Sequence, residues 1–215
     1  MNEALAWAMA LPAAYLLGSV PAGILVGKLF RGVDVRKYGS GNTGATNMLR
    51  TLGPLPAVLV LALDWGKGAA AVFVARAVTS PDSPVLSAVC ALTVIVGHSW
   101  PVFAGFKGGK GVATGLGALS IISPVAGAMT LVGLVVVATT RYVSLGSIIG
   151  TATGLASMVA LIALDRLDIA YLIFAVGGFL IIELRHRANF ERLMKGTESK
   201  LFATPRPKRS RAGPT

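Results

Sequence analysis

The chain contains a polar segment, DVRKYGSGNTGATNMLR at residues 34–50, whose residue types suit the binding of an anion. Its hydroxyl and amide groups come from Ser40, Asn42, Thr43, Thr46 and Asn47. The glycines between them allow backbone N–H groups to approach a ligand closely. We expect a helix to start near Asn42 or Thr43, so that its positive N-terminus points at this loop and Thr46, Asn47 and Arg50 lie about one turn apart. A loop of this composition is more often only a turn, but the arginine at its end favours an anion site.

A second segment, GHSWPVFAGFKGGKGVATG at residues 97–115, combines flexible glycines with a lysine just before an apolar run. Backbone amides, one point charge and a helix N-terminus together suit phosphate. The segment does not match the nucleotide-binding pattern G-x-x-x-x-G-K-[ST], because Gly111 follows Lys110. ATP hydrolysis is therefore not expected. Membrane anchoring suffices to explain Lys107, and His98 equally suits a structural role.

A third segment, ELRHRANFERLMKGTESKL at residues 183–201, follows an apolar run and is rich in basic residues. If the helix continues, His186 and Asn189 are three residues apart and face the same ligand. His186 is a candidate to handle a proton or to donate a hydrogen bond to phosphate, and Asn189 is a candidate uncharged hydrogen-bond donor. We expect the basic side chains of Arg192, Lys195 and Lys200 to face lipid headgroups, and Glu198 to tie the segment to a basic neighbour.

Two further pairs of polar residues lie in or near apolar segments. Ser144 and Ser147 follow Arg141, and either could add a hydroxyl to the site, with Ser144 preferred. Asp64 and Lys67 are three residues apart within an apolar run, where unpaired charges are costly. A mutual ion pair that fixes helix packing is the favoured interpretation of these two.

The sequence lacks the motifs of several common kinds of catalytic site. There is no H-x-x-x-x-D pair, and no G-x-S-x-G nucleophile motif. The only histidines are His98 and His186, the only cysteine is Cys90, and the carboxylates are dispersed, so no metal cluster is expected. The sequence suggests no covalent nucleophile.

Composition indicates an integral membrane protein. Hydrophobic residues make up 54% of the 215 residues and charged residues 13%, against about 25% charged in a soluble domain, and the mean hydropathy is +0.71. Several runs approach the ~20 apolar residues that cross a bilayer, and they lack the alternation of a barrel, which leaves helices. The net charge of +11 falls mainly in connecting segments, which favours membrane topology and anionic lipid over nucleic acid.

The charge distribution predicts seven transmembrane helices. Six apolar runs are visible, but six crossings would place the two most basic segments on opposite sides, against the positive-inside rule. A break at Pro124 inside the long run 112–139 gives seven, with the N-terminus outside and the C-terminus cytoplasmic. Residues 1–202 then form one polytopic domain, and the basic, proline-rich stretch 203–215 is expected to be a disordered tail.

Three motifs together resemble the acyl-phosphate-dependent glycerol-3-phosphate acyltransferases of bacterial membranes, the PlsY family. They are GSVPAG with GSGNTGATNMLR, GHSWPVFAGFKGGKGVAT, and HRANFERLMKGTE. The resemblance covers the chain up to Phe202. It implies transfer of a fatty acyl group from acyl phosphate to the sn-1 hydroxyl of glycerol 3-phosphate, with lysophosphatidic acid and phosphate as products, at the cytoplasmic face of the bacterial inner membrane.

The resemblance also implies the site residues and partners. Those expected in catalysis are Ser40, Arg50, Lys110, His186 and Asn189, and those expected in substrate binding are Thr46, Asn47, Gly108, Gly109, Gly111 and Ser144. No metal, cofactor or nucleic acid is implied; the partners are the two substrates, membrane lipids and a soluble enzyme that makes acyl phosphate. The proton of the attacking hydroxyl goes either to His186 or to the donor's own phosphate.

Two other classes of protein remain open on sequence alone. A transporter of small organophosphates would also use broken helices and anion-holding loops, but it needs access from both membrane faces. A structural adaptor acting through the basic tail would leave the glycine-rich loops unexplained.

Overall fold

The computed structural model of the chain describes residues 2–79 and 82–202. The predicted tail over 203–215 lies outside the described residues. Ten α-helices, and no strand, occur in the part that is described. They are α1 (Glu3–Ser19), α2 (Ala22–Arg31), α3 (Ala45–Leu52), α4 (Pro54–Ala77), α5 (Pro84–Ser99), α6 (Val112–Ile122), α7 (Pro124–Met129), α8 (Val132–Thr140), α9 (Val143–Ala163) and α10 (Leu172–Met194). The prediction of an all-helical chain is confirmed.

Five stretches are long and apolar enough to cross a membrane. They are Glu3–Arg31, Pro54–Ala77, Pro84–Ala104, Val143–Ala163 and Ile169–Met194. Two shorter apolar stretches, Val112–Ile122 and Pro124–Thr140, lie between the third and the fourth. The total of seven crossings and the orientation of the termini therefore remain predictions.

Proline breaks two of the predicted helices. The expected break at Pro124 is present: α6 ends at Ile122, and the Ser123 side chain caps α7 by accepting a hydrogen bond from Ala126 N at 3.3 Å. The first apolar stretch, Glu3–Arg31, is also interrupted, between α1 and α2. Val20 is extended there, with ψ of 114°, because the following Pro21 disfavours the helical conformation and has no N–H to donate.

Small residues bring the long helices close together. A Cβ atom at Gly68 of α4 would collide with the backbone of α6, and one at Gly117 of α6 would collide with the backbone of α4. Gly18 and Gly97 stand in the same relation between α1 and α5. In a bilayer the hydrophobic effect does not drive helices together, so close packing of backbones at small residues contributes much of their association.

The connecting segments meet at one end of the helices. The loop before α3 contacts the loop after α5, where Arg36 Nη1 donates to Ala104 O at 2.9 Å. The residues after α10 contact both the turn before α9, where Leu201 N donates to Arg141 O at 2.7 Å, and α3, where Arg50 Nη2 donates to Ser199 O at 3.0 Å. The three motifs of the sequence are thus brought together.

Candidate functional site

A cavity of about 820 Å³ opens among these connecting segments and continues between the helices. One end is polar, and the rest is lined mainly by apolar side chains of α6 and of the helices from α8 to α10, including Leu119, Leu134, Leu155, Met158 and Phe174. All of the predicted site residues except Gly108 and Gly109 line it. Along α9 the lining runs from Val143 to Met158, which is about 23 Å of helix. The space suits an elongated molecule with a charged head.

The first loop owes its shape to Asn47. Its Oδ1 accepts from Ser40 N at 2.8 Å, and its Nδ2 donates to Asn42 O at 2.8 Å and to Val35 O and Tyr38 O at 3.2 Å each. Gly39 has a φ of +57° and no room for a side chain above this amide. Asn47 lines the cavity and its side chain also holds the shape of the loop, so its predicted contact with substrate stays a prediction.

Helix α3 starts later than expected, at Ala45, with Gly44 as its N-cap. Asn42 is held outside the helix because its Oδ1 accepts from Gly44 N at 2.8 Å, a local turn typical of asparagine. Ala45 and Thr46 line the cavity at the helix N-terminus, where backbone N–H groups lack partners within the helix. Arg50, one turn further along, is exposed and also lines the cavity.

The second loop is fixed by its backbone. Arg185 Nε donates to Gly109 O and its Nη2 donates to Gly108 O, both at 3.0 Å, and its guanidinium lies 5.6 Å from the centre of the Trp100 ring. From the other side, Gly109 N donates to His98 O at 3.1 Å. Gly108 and Gly109 therefore shape the backbone that presents Lys110. Of the three glycines predicted to bind substrate, Gly111 lines the large cavity, and the contact of all three with substrate stays a prediction.

Polar side chains of the third segment form a hydrogen-bonded network with Lys110 of the second loop and Ser144 of α9. We call Lys110, Asn189, Glu198, Arg192 and Ser144 the rim cluster. Lys110 Nζ donates to Asn189 Oδ1 at 2.6 Å, and Asn189 Nδ2 donates to Glu198 Oε1 at 2.7 Å. Glu198 also accepts from Ser144 Oγ at 2.8 Å and from Arg192 Nε at 2.6 Å. Helix α10 continues to Met194 as expected, which places His186 and Asn189 on the same cavity wall.

The tautomer of His186 follows from its contact. Nδ1 lies 2.8 Å from Ile182 O, and a carbonyl oxygen can only accept, so Nδ1 carries the hydrogen. In the neutral ring this leaves Nε2 as the nitrogen that can take up a proton. The side chain is buried at the cavity wall.

Positive charge dominates the polar end. Burial lowers the pKa of the Lys110 ammonium to about 8, because desolvation disfavours its charge; Arg192, Arg50 and Arg185 act in the same direction and Glu198 against it. Burial also opposes ionisation of Glu198, but hydrogen bonds from Asn189, Arg192 and Ser144 outweigh it and keep the pKa of that carboxyl below its usual value. An anion bound here would restore the charge of Lys110.

The sequence did not indicate the roles of Arg185 and Arg192, and it indicated that of Glu198 only in part. Arg185 shows no pattern that separates it from neighbouring basic residues. Arg192, expected at lipid headgroups, lines the cavity and pairs with Glu198 instead. Glu198 was expected to tie the segment to one basic neighbour, which is confirmed for Arg192, but it also binds Ser144 and Asn189. Ser147 Oγ donates to Val143 O at 2.9 Å, so Ser144 is the serine that joins the rim cluster.

The favoured interpretation of Asp64 and Lys67 is confirmed as an ion pair of 2.8 Å between buried side chains. His98 Nδ1 lies 3.4 Å from the same carboxylate oxygen. We call Asp64, Lys67 and His98 the inner cluster. Within residues 2–79 and 82–202, no group of three or more His, Cys, Asp or Glu side chains is placed to hold a metal ion.

Comparison with known proteins agrees with this arrangement. A family model described as glycerol-3-phosphate acyltransferase matches residues 8–196. A glycerol-3-phosphate acyltransferase of Desulforamulus reducens is 47% identical over 189 residues, which are 87% of this chain and 92% of that protein. One from a Synechococcus species is 46% identical over 200 residues, 91% of this chain and 95% of that protein.

Solved structures give the same result. The crystal structure of PlsY, an integral membrane glycerol 3-phosphate acyltransferase, in its glycerol 3-phosphate form, superposes with a TM-score of 0.82 and 40% identity. The superposed region covers 90% of this chain and 94% of the PlsY chain. The lysophosphatidic acid form of PlsY gives a TM-score of 0.80, with the same identity and coverage.

Proposed function

Since the chain belongs to the PlsY family of glycerol-3-phosphate acyltransferases, we propose that it transfers a fatty acyl group from acyl phosphate to the sn-1 hydroxyl of glycerol 3-phosphate. The products are lysophosphatidic acid and inorganic phosphate. The chain is an integral membrane acyltransferase of phospholipid synthesis, and the identity of the donor is the part that needs a test.

One observation carries the proposal: a single cavity joins a cationic end to a long apolar region. Acyl phosphate has the same two parts, a phosphate head and a hydrocarbon chain. Glycerol 3-phosphate needs only the cationic end. Two phosphate-bearing substrates would meet there, and Arg50, Lys110 and the N-terminus of α3 supply the positive charge that holds dianions near each other.

The reaction needs positioning more than a covalent intermediate. The hydroxyl oxygen forms a bond to the acyl carbonyl carbon, and the bond from that carbon to the phosphate oxygen breaks, so phosphate leaves with the electron pair. The hydroxyl proton goes to Nε2 of His186 or to the departing phosphate. Acyl phosphate is a reactive mixed anhydride, so bringing the hydroxyl into line with the carbonyl lowers the barrier substantially.

The remaining site residues have supporting roles in this proposal. Ser40 and Thr46 offer hydroxyl and backbone N–H donors to phosphate, and Asn189 holds Lys110. Ser144 fixes Glu198, and Gly111 leaves space where the loop meets the cavity. Neither a metal nor a cofactor is needed for the reaction as proposed.

The proposed setting is the bacterial inner membrane, with seven crossings over residues 1–202. The N-terminus is outside, and the site and the C-terminus face the cytoplasm. This orientation places Lys107, Lys110 and Arg141 on the cytoplasmic side, as the positive-inside rule requires. A soluble enzyme that makes acyl phosphate would then deliver the donor from the same side.

The test is an assay of purified protein with glycerol 3-phosphate and palmitoyl phosphate and no added metal, with lysophosphatidic acid as the readout. We expect turnover by the wild type and none by Arg50→Ala or His186→Ala, both of which should still insert and purify. Full activity in either variant would remove that residue from the site. Activity with acyl-CoA but none with acyl phosphate would reject the donor.

A further inference from the structure

The inner cluster lies directly beneath the loop that carries Lys110. The side chains of Asp64, Lys67 and His98 are all 7% exposed or less. Lys67 Nζ also donates to Val20 O at 3.3 Å, at the break between α1 and α2. A small void of about 10 Å³ touches all three side chains together with Thr43 and Gly108. The cluster therefore borders backbone of both glycine-rich motifs.

His98 is enclosed at both edges of its ring. Nδ1 faces the carboxylate of Asp64. On the other edge, a Cβ atom at Gly109 would collide with Nε2, so the Gly109 backbone covers that nitrogen. His98 also lines the large cavity, but with one nitrogen against Asp64 and the other against Gly109 its ring is better placed to support the loop than to exchange a proton with substrate.

Contacts of His98 lead to Lys110 along one short path. Its carbonyl oxygen accepts from Gly109 N, its ring packs on Gly109, and Lys110 is the next residue. Arg185 holds the two glycine carbonyls from the opposite side. The peptide that presents Lys110 is thus held between the His98 ring and the Arg185 guanidinium.

Helix packing alone does not explain this arrangement. A buried ion pair is often no more stabilising than apolar side chains of similar size, and Lys67 alone would neutralise Asp64. The carboxylate nevertheless has a second partner, the imidazole that supports the loop. A fixed imidazole sets the position of Gly109, whereas a freely rotating one would not.

We propose that Asp64 and His98 are positioning residues: Asp64 fixes the orientation of the His98 ring, and the ring holds the Gly108–Gly109 backbone so that Lys110 projects into the cavity. The inference rests on the proposed role of Lys110 in binding phosphate. Lys67 neutralises Asp64 and ties it to the α1–α2 break, but it does not support the loop.

Paired variants test the ring itself. His98→Leu removes the group that faces Asp64, whereas the amide nitrogen of His98→Asn can occupy about the position of Nδ1. We expect His98→Leu to lower kcat/KM for glycerol 3-phosphate by about 10²-fold, since misplacement by ~1 Å can cost that much. His98→Asn should lose about as much, because it can keep the contact with Asp64 but lacks the ring atoms that pack on Gly109. Ser99→Ala is the matched control, because the neighbouring Ser99 Oγ is buried without a hydrogen-bond partner.

The pH profile separates positioning from a general loss of structure. Lys110 faces Glu198, Arg192, Arg50 and Arg185, and its pKa of about 8 depends on burial. If the loop is released, Lys110 gains water, and the alkaline limb of kcat/KM should move to higher pH in His98→Leu and His98→Asn and stay in place in Ser99→Ala. A lowered rate with an unmoved limb overturns the proposal, as does an unchanged rate.

Double variants separate the carboxylate from the ion pair and serve as the test if His98→Leu does not fold. Asp64→Leu with Lys67→Met removes both charges and leaves His98 without an acceptor, whereas Asp64→Asn with Lys67→Met keeps an oxygen for the ring. We expect low turnover, and an alkaline limb of kcat/KM shifted to higher pH, only in the variant with Asp64→Leu. Equal turnover in the two would overturn the role of Asp64. Failure of the wild type with palmitoyl phosphate would instead refute the donor.

Discussion

The rim cluster and the inner cluster both centre on a carboxylate that binds a cation, yet they differ in charge balance and in access. In the inner cluster Lys67 neutralises Asp64, and both side chains are buried. At the polar end, four cations, Arg50, Lys110, Arg185 and Arg192, line the cavity beside the rim carboxylate Glu198; Asp64 also lines it but is already paired with Lys67. An excess of positive charge beside open space can bind an anion, whereas a buried carboxylate already neutralised by lysine is suited to organising its surroundings.

The largest expected effect is on stability, and it belongs to the inner cluster. Lys67→Met leaves Asp64 as a buried charge without its counterion, which should cost about 3–5 kcal/mol. Replacing Asp64 by Asn in the same chain should recover most of that loss. At the rim, Arg192→Met should cost about 0–1 kcal/mol, because its side chain is 45% exposed. Thermal unfolding in detergent measures the stability of all three variants. Equal losses of stability on removing Lys67 and on removing Arg192 would contradict the comparison.

The next effect is on turnover, and it belongs to the rim. Lys110→Met removes a charge that the proposed function places on a substrate phosphate, so kcat should fall by about 10²–10³-fold. Lys107→Met is the matched control: this lysine lies in the same loop but is exposed and does not line the cavity. Its variant should retain wild-type kinetics, and a comparable loss in both would show that the loop needs basic charge in general.

A smaller effect concerns pH. Because the free protein loses the Lys110 charge above about pH 8, kcat/KM for glycerol 3-phosphate should fall by about tenfold from its plateau by pH 9. Lys110→Arg keeps its charge throughout this range, so its alkaline limb should move to higher pH even if its plateau is lower. An identical limb in both proteins would assign the titration to another group.

The smallest effect distinguishes the two serines of α9. Ser144→Ala removes a hydrogen bond to Glu198, worth about 0.5–1.5 kcal/mol, and should lower kcat/KM by about two- to tenfold. Ser147 donates only to the backbone of its own helix, so Ser147→Ala should stay within the error of the assay. A larger loss for Ser147 would reverse the assignment.

Much of the fold was predictable because its signals are local. Apolar runs, the proline at 124 and the small residues report directly on helices, breaks and close packing. The break at Val20 escaped prediction because an apolar run gives no sign of it except Pro21. The Val20 carbonyl accepts from Ala22 N and also from Lys67, 47 residues away, and a long-range contact of this kind leaves no mark in the local sequence.

Most of the polar residues that line the cavity were predictable from the sequence, but the contacts that each of them makes were not. Asn47, Gly108 and Gly109 have the residue types of a phosphate site, yet the structure uses them to shape loops. Arg185 and Glu198 show no distinguishing pattern, yet they organise that site. Whether a polar group is available to a ligand depends on which tertiary partners occupy it, and residue type does not report that.

The central claim is that Lys110 faces the substrate phosphate. The most direct test is to measure the rate at which an amine-specific reagent modifies Lys110 at pH 8, by mass spectrometry of its peptide, with and without glycerol 3-phosphate at a concentration that saturates turnover. Lys107 provides the internal reference. We expect glycerol 3-phosphate to slow modification of Lys110 and leave Lys107 unchanged; equal rates at Lys110 under both conditions would contradict the account.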